Sequence, residues 1–211
     1  EDMAFVKGDL FRIDEMRTFL DLPNEDEGGP KETVPVPQAD HYEITFRHVS
    51  FHYPGTDENV YTDFSFTIKA GKKLAIVGIN GAGKTTLVKL VTRLYDPTEG
   101  EILLNGTDIR RFALQDYRNL LAAVFQDINL FAMTFQENIT CEEDGADGER
   151  LLAAIEEAGL SAFYEQHGKN PDLPLTKYLY HDGVDVSGGE KQKIGIARAL
   201  YKNGKILIFD E

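Results

Sequence analysis

The sequence predicts an α/β protein in which a core with parallel strands carries an antiparallel β subdomain and an inserted helical subdomain. Two glycine-rich loops, at 78–86 and 186–190, each open a predicted helix. The run 206–209 is apolar and typical of a buried parallel strand. The stretch from Lys84 to Asp210 is longer than one crossover between parallel strands needs, which predicts the insertion.

At the start of the chain, apolar residues recur at helical spacing between Met3 and Leu20, which predicts an N-terminal helix within residues 1–22. Pro23 ends that helix, because proline cannot continue the hydrogen-bond ladder. Residues 23–39 are rich in proline, glycine and charge and predict an extended linker.

Strand-like alternation begins near Tyr42 and resumes between Phe64 and Ile68. Period-two patterns of this kind predict an antiparallel hairpin-like subdomain. The stretch Glu101–Gly106 predicts a further strand that closes in an Asn-Gly turn.

The first glycine-rich loop follows the apolar run 74–77, which predicts a strand, and precedes a predicted helix from about Lys84 to Tyr95. It matches Gly-x-x-x-x-Gly-Lys-[Ser/Thr], the phosphate-binding loop of P-loop NTPases. Glycines let backbone N–H groups converge on phosphate oxygens, and the helix N-terminus adds its dipole. Lys84 provides a positive charge for the outer phosphates, and the Thr85 hydroxyl suits Mg²⁺. The alternative is an ordinary glycine-rich turn, which the lysine, hydroxyl and flanking elements make the weaker interpretation.

Residues 134–162 have a mostly helical pattern and lead towards the second glycine-rich loop, Val186-Ser187-Gly188-Gly189-Glu190. A glycine-rich loop at the start of a helix can bind an anion, because backbone N–H groups and the helix dipole favour negative charge there. Ser187 and Glu190 also have the spacing of a capping box, which is the structural alternative.

The apolar run 206–209 ends in Asp210 and Glu211. Two carboxylates at a strand end can bind a metal ion and serve as a catalytic base. Such a pair on its own is as often merely solvated as it is functional. The upstream phosphate loop favours catalysis.

The two loops and the acidic strand end together resemble the nucleotide-binding domain of ATP-binding cassette (ABC) transporters, and the resemblance covers residues 40–211. The second loop resembles the family's signature motif, Leu-Ser-Gly-Gly-Gln, with Val186 and Glu190 as departures. The resemblance implies a helical subdomain at about residues 127–187.

The resemblance also implies residue roles. Asp210 is similar to the Walker B aspartate, and Glu211 to the carboxylate that polarises the attacking water. Gln126 resembles the Q-loop glutamine, although an isolated glutamine is usually only a surface residue. Tyr53 resembles the aromatic residue that stacks on adenine, with a core position by strand alternation as the alternative. The implied nucleotide-binding residues are Tyr53, Gly78, Asn80, Gly81, Ala82, Gly83, Lys84, Thr85 and Thr86. The implied catalytic residues are Glu211, Lys84 and Gln126. The implied Mg²⁺ ligands are Thr85, Gln126 and Asp210. The implied contacts to the ATP of a partner domain are Ser187, Gly188, Gly189 and Glu190.

Composition narrows the function classes. The net charge of −14 argues against nucleic acid as the main ligand. The single cysteine, Cys141, excludes an internal disulfide. No apolar run in the sequence approaches the length of a membrane span.

Two functions follow from the resemblance. The first is the ATP-binding and hydrolysing domain of a membrane exporter, at the cytoplasmic face of the membrane, using ATP and Mg²⁺ with a transmembrane domain and a second nucleotide-binding domain as partners. Residues 129–139 resemble the family's membrane-coupling region and support it. The alternative is a soluble ABC ATPase with a mechanical role. A small-molecule P-loop kinase does not account for the signature loop.

The family pattern includes further elements after the Walker B strand, among them a histidine that contacts the γ-phosphate. None of the five histidines follows Asp210. We therefore expect the 211-residue chain alone to bind nucleotide weakly, to associate through an exposed sheet edge and to hydrolyse ATP negligibly.

Overall fold

The computed structural model describes residues 16–17, 32–142, 146–176 and 183–210. Met16 and Arg17 are helical, and the rest of the predicted N-terminal helix lies outside the described residues. Residues 32–39 of the predicted linker are described, and Val34 forms a bridge with Phe112 there.

An antiparallel sheet holds the strands β1 (Ile44–Phe51), β2 (Tyr61–Ile68), β3 (Glu99–Leu104) and β4 (Thr107–Asp108) in the order β2-β1-β3-β4. The register of β1 shifts between Phe46 and Val49 against β2, around His48, whose φ is 50°. The irregularity changes the phase of alternation, so Phe46 and Val49 are both buried although they are three residues apart. The predicted antiparallel subdomain is confirmed.

The predicted turn joins β3 to β4. Asn105 and Gly106 both have positive φ, 49° and 81°, the backbone that a two-residue hairpin turn requires. Asn105 also accepts a hydrogen bond from the backbone N–H of Glu43 at 2.8 Å, which ties the turn to β1.

Two parallel strands, β5 (Leu121–Val124) and β6 (Ile206–Phe209), form the second sheet. Val124 pairs with Phe209, so both strands end at the same edge. Residues that follow the strands, Gln126 and Asp210, therefore leave the sheet on one side.

Two strand predictions need correction. Residues 74–77 form no strand, and Val77 is 94% exposed. β6 was expected to be fully buried, but Leu207 is 53% and Phe209 61% exposed. In the part of the chain that the structure describes, β6 pairs only with β5 and residues 74–77 pair with no strand. Apolarity predicts which segments favour burial, but a strand also needs a neighbour that satisfies its backbone.

The helices are α1 (Lys84–Val91), α2 (Leu114–Asn119), α3 (Phe135–Thr140), α4 (Gly148–Glu157), α5 (Ser161–Gln166) and α6 (Gly188–Lys202). The described helices include none that is long and apolar enough to span a bilayer. α1 is shorter than predicted, because the Thr92 hydroxyl donates back to the Val88 carbonyl and Arg93 has positive φ.

Buried apolar residues form two main clusters. One cluster joins the antiparallel sheet to α1. The other joins α3, α4 and α5 to α6. Helix α6 also packs on β5 through Ala199, beside Ala122 and Val124. Helix α6 thus connects the helical cluster to the parallel strands, and Gly188 at its start lines a cavity together with Gln126, which follows β5.

Candidate nucleotide site

The first glycine-rich loop curls into the N-terminus of α1 through glycines with positive φ. Gly81 has φ 82° and Gly83, the N-cap, has φ 89°. The Tyr61 hydroxyl donates to the Gly83 carbonyl at 2.9 Å, and a Cβ on Gly83 would lie 3.0 Å from that hydroxyl. A side chain at Gly83 would therefore be strained by both the backbone and its neighbour. Burial is the main cause of the raised pKa of Tyr61, and a tyrosine hydroxyl is a donor at neutral pH even at its ordinary pKa.

Lys84 reaches back across the loop that it follows. Its Nζ donates to the carbonyls of Gly78 at 2.7 Å and Ile79 at 3.2 Å. The ammonium is thus held at the mouth of the loop, where a phosphate would bind. The rest of the loop, Asn80, Gly81 and Ala82, is exposed.

Thr85 and Asp210 meet although they are far apart in sequence. The Thr85 hydroxyl donates to Asp210 Oδ1 at 3.3 Å, while the Asp210 N–H donates to the Val124 carbonyl at 2.9 Å. Asp210 Oδ2 is buried and has no hydrogen-bond partner. A buried carboxylate oxygen without a partner is unfavourable unless a ligand occupies it, so this oxygen fits a hard cation such as Mg²⁺.

The donor set also matches the way Mg²⁺ is bound. Within the described residues, no group of three or more His, Cys, Asp or Glu residues could hold a metal. Mg²⁺ is commonly held by one or two carboxylates together with substrate phosphates, and one carboxylate beside a hydroxyl fits that pattern. Glu211, the predicted base, lies outside the described residues.

Tyr53 lies against the phosphate loop's helix. Its hydroxyl is 2.9 Å from the buried Thr86 hydroxyl, and its ring makes edge contacts with Phe51 at 5.1 Å and Tyr95 at 5.3 Å. Lys89 Nζ is 5.1 Å from the ring centroid. These contacts favour the alternative that Tyr53 is a core residue, since its ring is partly buried against β1 and α1. Adenine stacking stays a prediction.

Two variants separate these roles of Tyr53. Tyr53→Phe loses the bond to Thr86 and is expected to lower the free energy of unfolding by about 1 kcal/mol, while ATP affinity is unchanged if the ring carries it. Tyr53→Leu is expected to weaken ATP binding as well, because an aliphatic side chain cannot stack on adenine. Denaturant unfolding and calorimetry measure the two effects, and equal ATP affinity for Tyr53→Leu and wild type would exclude adenine stacking.

Gln126 is exposed after β5 and lines a cavity of about 440 Å³. The opposite wall comes from the first turn of α6, where Gly188 and Lys191 lie. The structure therefore places the predicted Q-loop residue beside the predicted signature loop of the same chain.

The signature loop forms a capping box. The Ser187 N–H donates to Glu190 Oε2 at 2.8 Å, and the Glu190 N–H donates to Ser187 Oγ at 3.3 Å. The Ser187 hydroxyl also donates to Glu190 Oε2, at 2.7 Å. Hydrogen bonds from Ser187 are the main cause of the lowered pKa of Glu190, because they stabilise the charged carboxylate. The capping alternative is confirmed as local structure. Gly188 and Gly189 are exposed, and a Cβ on either would meet open space.

The predicted residues thus fall into two groups. Lys84, Thr85 and Asp210 form one, and Gln126 with the signature loop forms the other. The sequence does not single out Tyr61, which supports the loop through a hydrogen bond to the Gly83 carbonyl. Such a bond has no sequence motif, because any backbone oxygen within reach can accept it.

Comparisons with known proteins show what the chain as a whole is similar to. The family model described as "ABC transporter" matches residues 61–211. The chain is 43% identical over 168 residues to the beta-(1→2)glucan export ATP-binding/permease protein NdvA of Bartonella bacilliformis, covering 80% of this chain and 27% of that protein. It is 39% identical over 194 residues to the ATP-dependent lipid A-core flippase of Yersinia pestis, covering 92% and 32%.

A solved structure is similar along nearly the whole chain. It is a bacterial Atm1-family ABC exporter with ATP bound, with a TM-score of 0.82 and 36% identity over 98% of this chain and 35% of that one. The chain therefore spans only about a third or less of the length of these relatives.

Proposed function

This chain belongs to the ABC transporter family, and on that premise we propose that it is the ATP-binding and hydrolysing domain of a membrane exporter. In this function, Mg-ATP drives dimerisation of two nucleotide-binding domains, and dimerisation is coupled to substrate translocation. The observation that carries the proposal is the cluster of Lys84, Thr85 and Asp210 around the N-terminus of α1. It joins a cation, a hydroxyl and a buried carboxylate oxygen, which are the groups that bind a nucleotide triphosphate with its metal.

In the proposed reaction, water attacks the γ-phosphorus of ATP, the bond to the β-phosphate oxygen breaks and ADP leaves. Lys84 and the loop N–H groups bind the outer phosphates and orient them. Thr85 and Asp210 would hold Mg²⁺, with Gln126 as a further ligand, and the ion would neutralise charge on the phosphates. Glu211 is the proposed acceptor of the water's proton.

The exposed signature loop is the feature that favours a dimer of nucleotide-binding domains. Ser187, Gly188 and Gly189 are exposed at the start of a fifteen-residue helix, where N–H groups and dipole favour an anion. We assign these residues, with Glu190, to the ATP of a partner domain, identical or related. The Ser187 hydroxyl would have to exchange its bond to Glu190 for a phosphate oxygen.

The membrane role rests on the relatives. Those compared are named as an exporter, a flippase and an ABC exporter. We propose a transmembrane domain as partner and the cytoplasmic face of the membrane as location. The alternative of a soluble mechanical ATPase predicts that the complete gene product is recovered from cells without membranes. Recovery with the membrane fraction, resistant to high salt, favours the exporter.

We further propose that the 211-residue chain by itself turns over ATP very slowly. The approach to the phosphate loop supports this, because residues 74–77 pair with no strand among the described residues and Val77 is 94% exposed. A loop that lacks a rigid support binds its ligand with less preorganisation.

The test of the function is ATP turnover by the complete gene product in lipid vesicles. We expect Mg²⁺-dependent hydrolysis in the wild type, and Gln126→Ala to lower kcat by about tenfold or more with nucleotide affinity within about twofold. Gln115→Ala is the matched control, since Gln115 is on α2 and bonds only to Asn119 among the described residues. Wild-type protein without Mg²⁺-dependent turnover would contradict the function, and unchanged kcat in Gln126→Ala would remove Gln126 from the site.

A further inference from the structure

A second cavity, of about 190 Å³, lies between the loop after β5 and helix α6. The loop contributes Asp127, Ile128 and Asn129, and α6 contributes Gly195 and Arg198. The contact is close on one side, because a Cβ on Gly195 would collide with the Ile128 side chain. The lining of the cavity is mostly apolar, and Asp127 and Arg198 are its two charged side chains.

Arg198 is only partly satisfied in this position. Its Nε donates to the Asn138 carbonyl at 2.9 Å, and its guanidinium carbon is 5.5 Å from the Phe131 ring centroid. Nη2 is buried and has no hydrogen-bond partner. A guanidinium nitrogen removed from water without an acceptor is unfavourable, so an acceptor is expected in at least one state of the protein.

Asp127 is the carboxylate of the same cavity. It directly follows Gln126 and lines both the 190 Å³ cavity and the larger one beside Gly188. Along residues 32–142, 146–176 and 183–210, no hydrogen bond or ion pair involves its side chain. A free carboxylate and an unpaired guanidinium nitrogen thus face one small space.

We infer that Asp127 and Arg198 form an ion pair when the loop closes on α6 in the nucleotide-bound state, and that this pair positions Gln126. Arginine and carboxylate form short, directional bonds. The pair would join the residue next to Gln126 to the helix that begins with the signature loop. A change at either end of α6 would then shift Gln126, which makes both Asp127 and Arg198 positioning residues.

The inference rests on the proposed function, since it assigns a nucleotide-dependent movement to the same site. It adds a physical connection between Gln126 and helix α6, which begins with the signature loop. Gln126 belongs to this chain's own nucleotide, whereas Ser187 is assigned to the partner's. The ion pair would couple the two nucleotides, because Asp127 adjoins Gln126 in the chain and Arg198 lies on the helix that Ser187 caps.

Cross-linking tests whether the pair forms with nucleotide. The complete gene product carries Asp127→Cys and Arg198→Cys in a background where every native cysteine, Cys141 included, is replaced by serine. A short bismaleimide should join the two cysteines severalfold faster with Mg-ATP than without. Equal rates with and without Mg-ATP would overturn the inference.

A double-mutant cycle tests the functional consequence. Asp127→Asn and Arg198→Gln are each expected to lower kcat for ATP by roughly fivefold to tenfold, with KM within about twofold, and the double variant to be no worse than either, as contacting residues behave. Arg198→Lys should restore part of the loss. Asp116→Asn, an exposed change on α2, should leave kcat unchanged.

Independent effects that multiply in the double variant would overturn the inference while wild-type turnover upheld the proposed function. If Arg198→Gln does not fold, a wild-type kcat in Asp127→Asn alone would overturn the inference. Loss of Mg²⁺-dependent turnover in the wild type would instead remove the proposed function.

Discussion

Lys84→Ala is expected to lower the affinity of the complete gene product for Mg-ATP and Mg-ADP by about thirtyfold or more, equivalent to about 2 kcal/mol. The ammonium is held at the mouth of the phosphate loop by the Gly78 and Ile79 carbonyls. Its removal takes away the charge that would face the phosphates, and it also frees the two carbonyls that shape the loop. Isothermal calorimetry with each nucleotide measures the change.

The control for this variant is Lys72→Ala. Lys72 is exposed upstream of the loop, so its removal changes the net charge equally without touching the site. Thermal unfolding of both variants checks that the fold is retained. Equal nucleotide affinity for wild type and Lys84→Ala would withdraw the assignment of the loop as a phosphate site.

Glu211→Gln is expected to lower kcat for ATP hydrolysis by about 10²- to 10⁴-fold, the usual effect of losing a positioned general base. The amide is nearly the same size as the carboxylate but cannot accept the proton of the attacking water. ATP binding should persist, because the phosphate contacts are assigned to other residues. Single-turnover hydrolysis and equilibrium binding, measured on the same preparation, separate the two effects.

Glu157→Gln is the matched control, since Glu157 is an exposed residue at the end of α4. It should leave both kcat and affinity unchanged. If Glu211→Gln retained wild-type kcat, another group would have to accept the proton of the attacking water. The role that the family resemblance implies for Glu211 would then be wrong.

The family was predictable from the sequence, and it is confirmed by the match over residues 61–211. Anion-binding loops depend on local geometry, so a short run of residues contains most of their chemistry. The capping box of Ser187 and Glu190 is equally local, and both interpretations of that loop were available before the structure. The Asn105-Gly106 turn was predictable for the same reason.

Pairing between distant segments was not predictable to the same extent. The runs 74–77 and 206–209 are both entirely apolar, yet the first forms no strand and the second forms a half-exposed strand. Whether such a run is buried depends on the strand beside it, and a sequence pattern does not contain that neighbour.

The sequence alone identified the two glycine-rich loops and the acidic strand end as the candidate site, because each is a contiguous motif whose residue types suit its proposed chemistry. Only the tertiary structure decided that Thr85 meets Asp210, that Tyr61 supports Gly83, and that Asp127 and Arg198 share one cavity. These contacts join residues far apart in the chain. Their geometry follows from how α1, α6 and the parallel strands pack, which depends on the whole core rather than on any single segment.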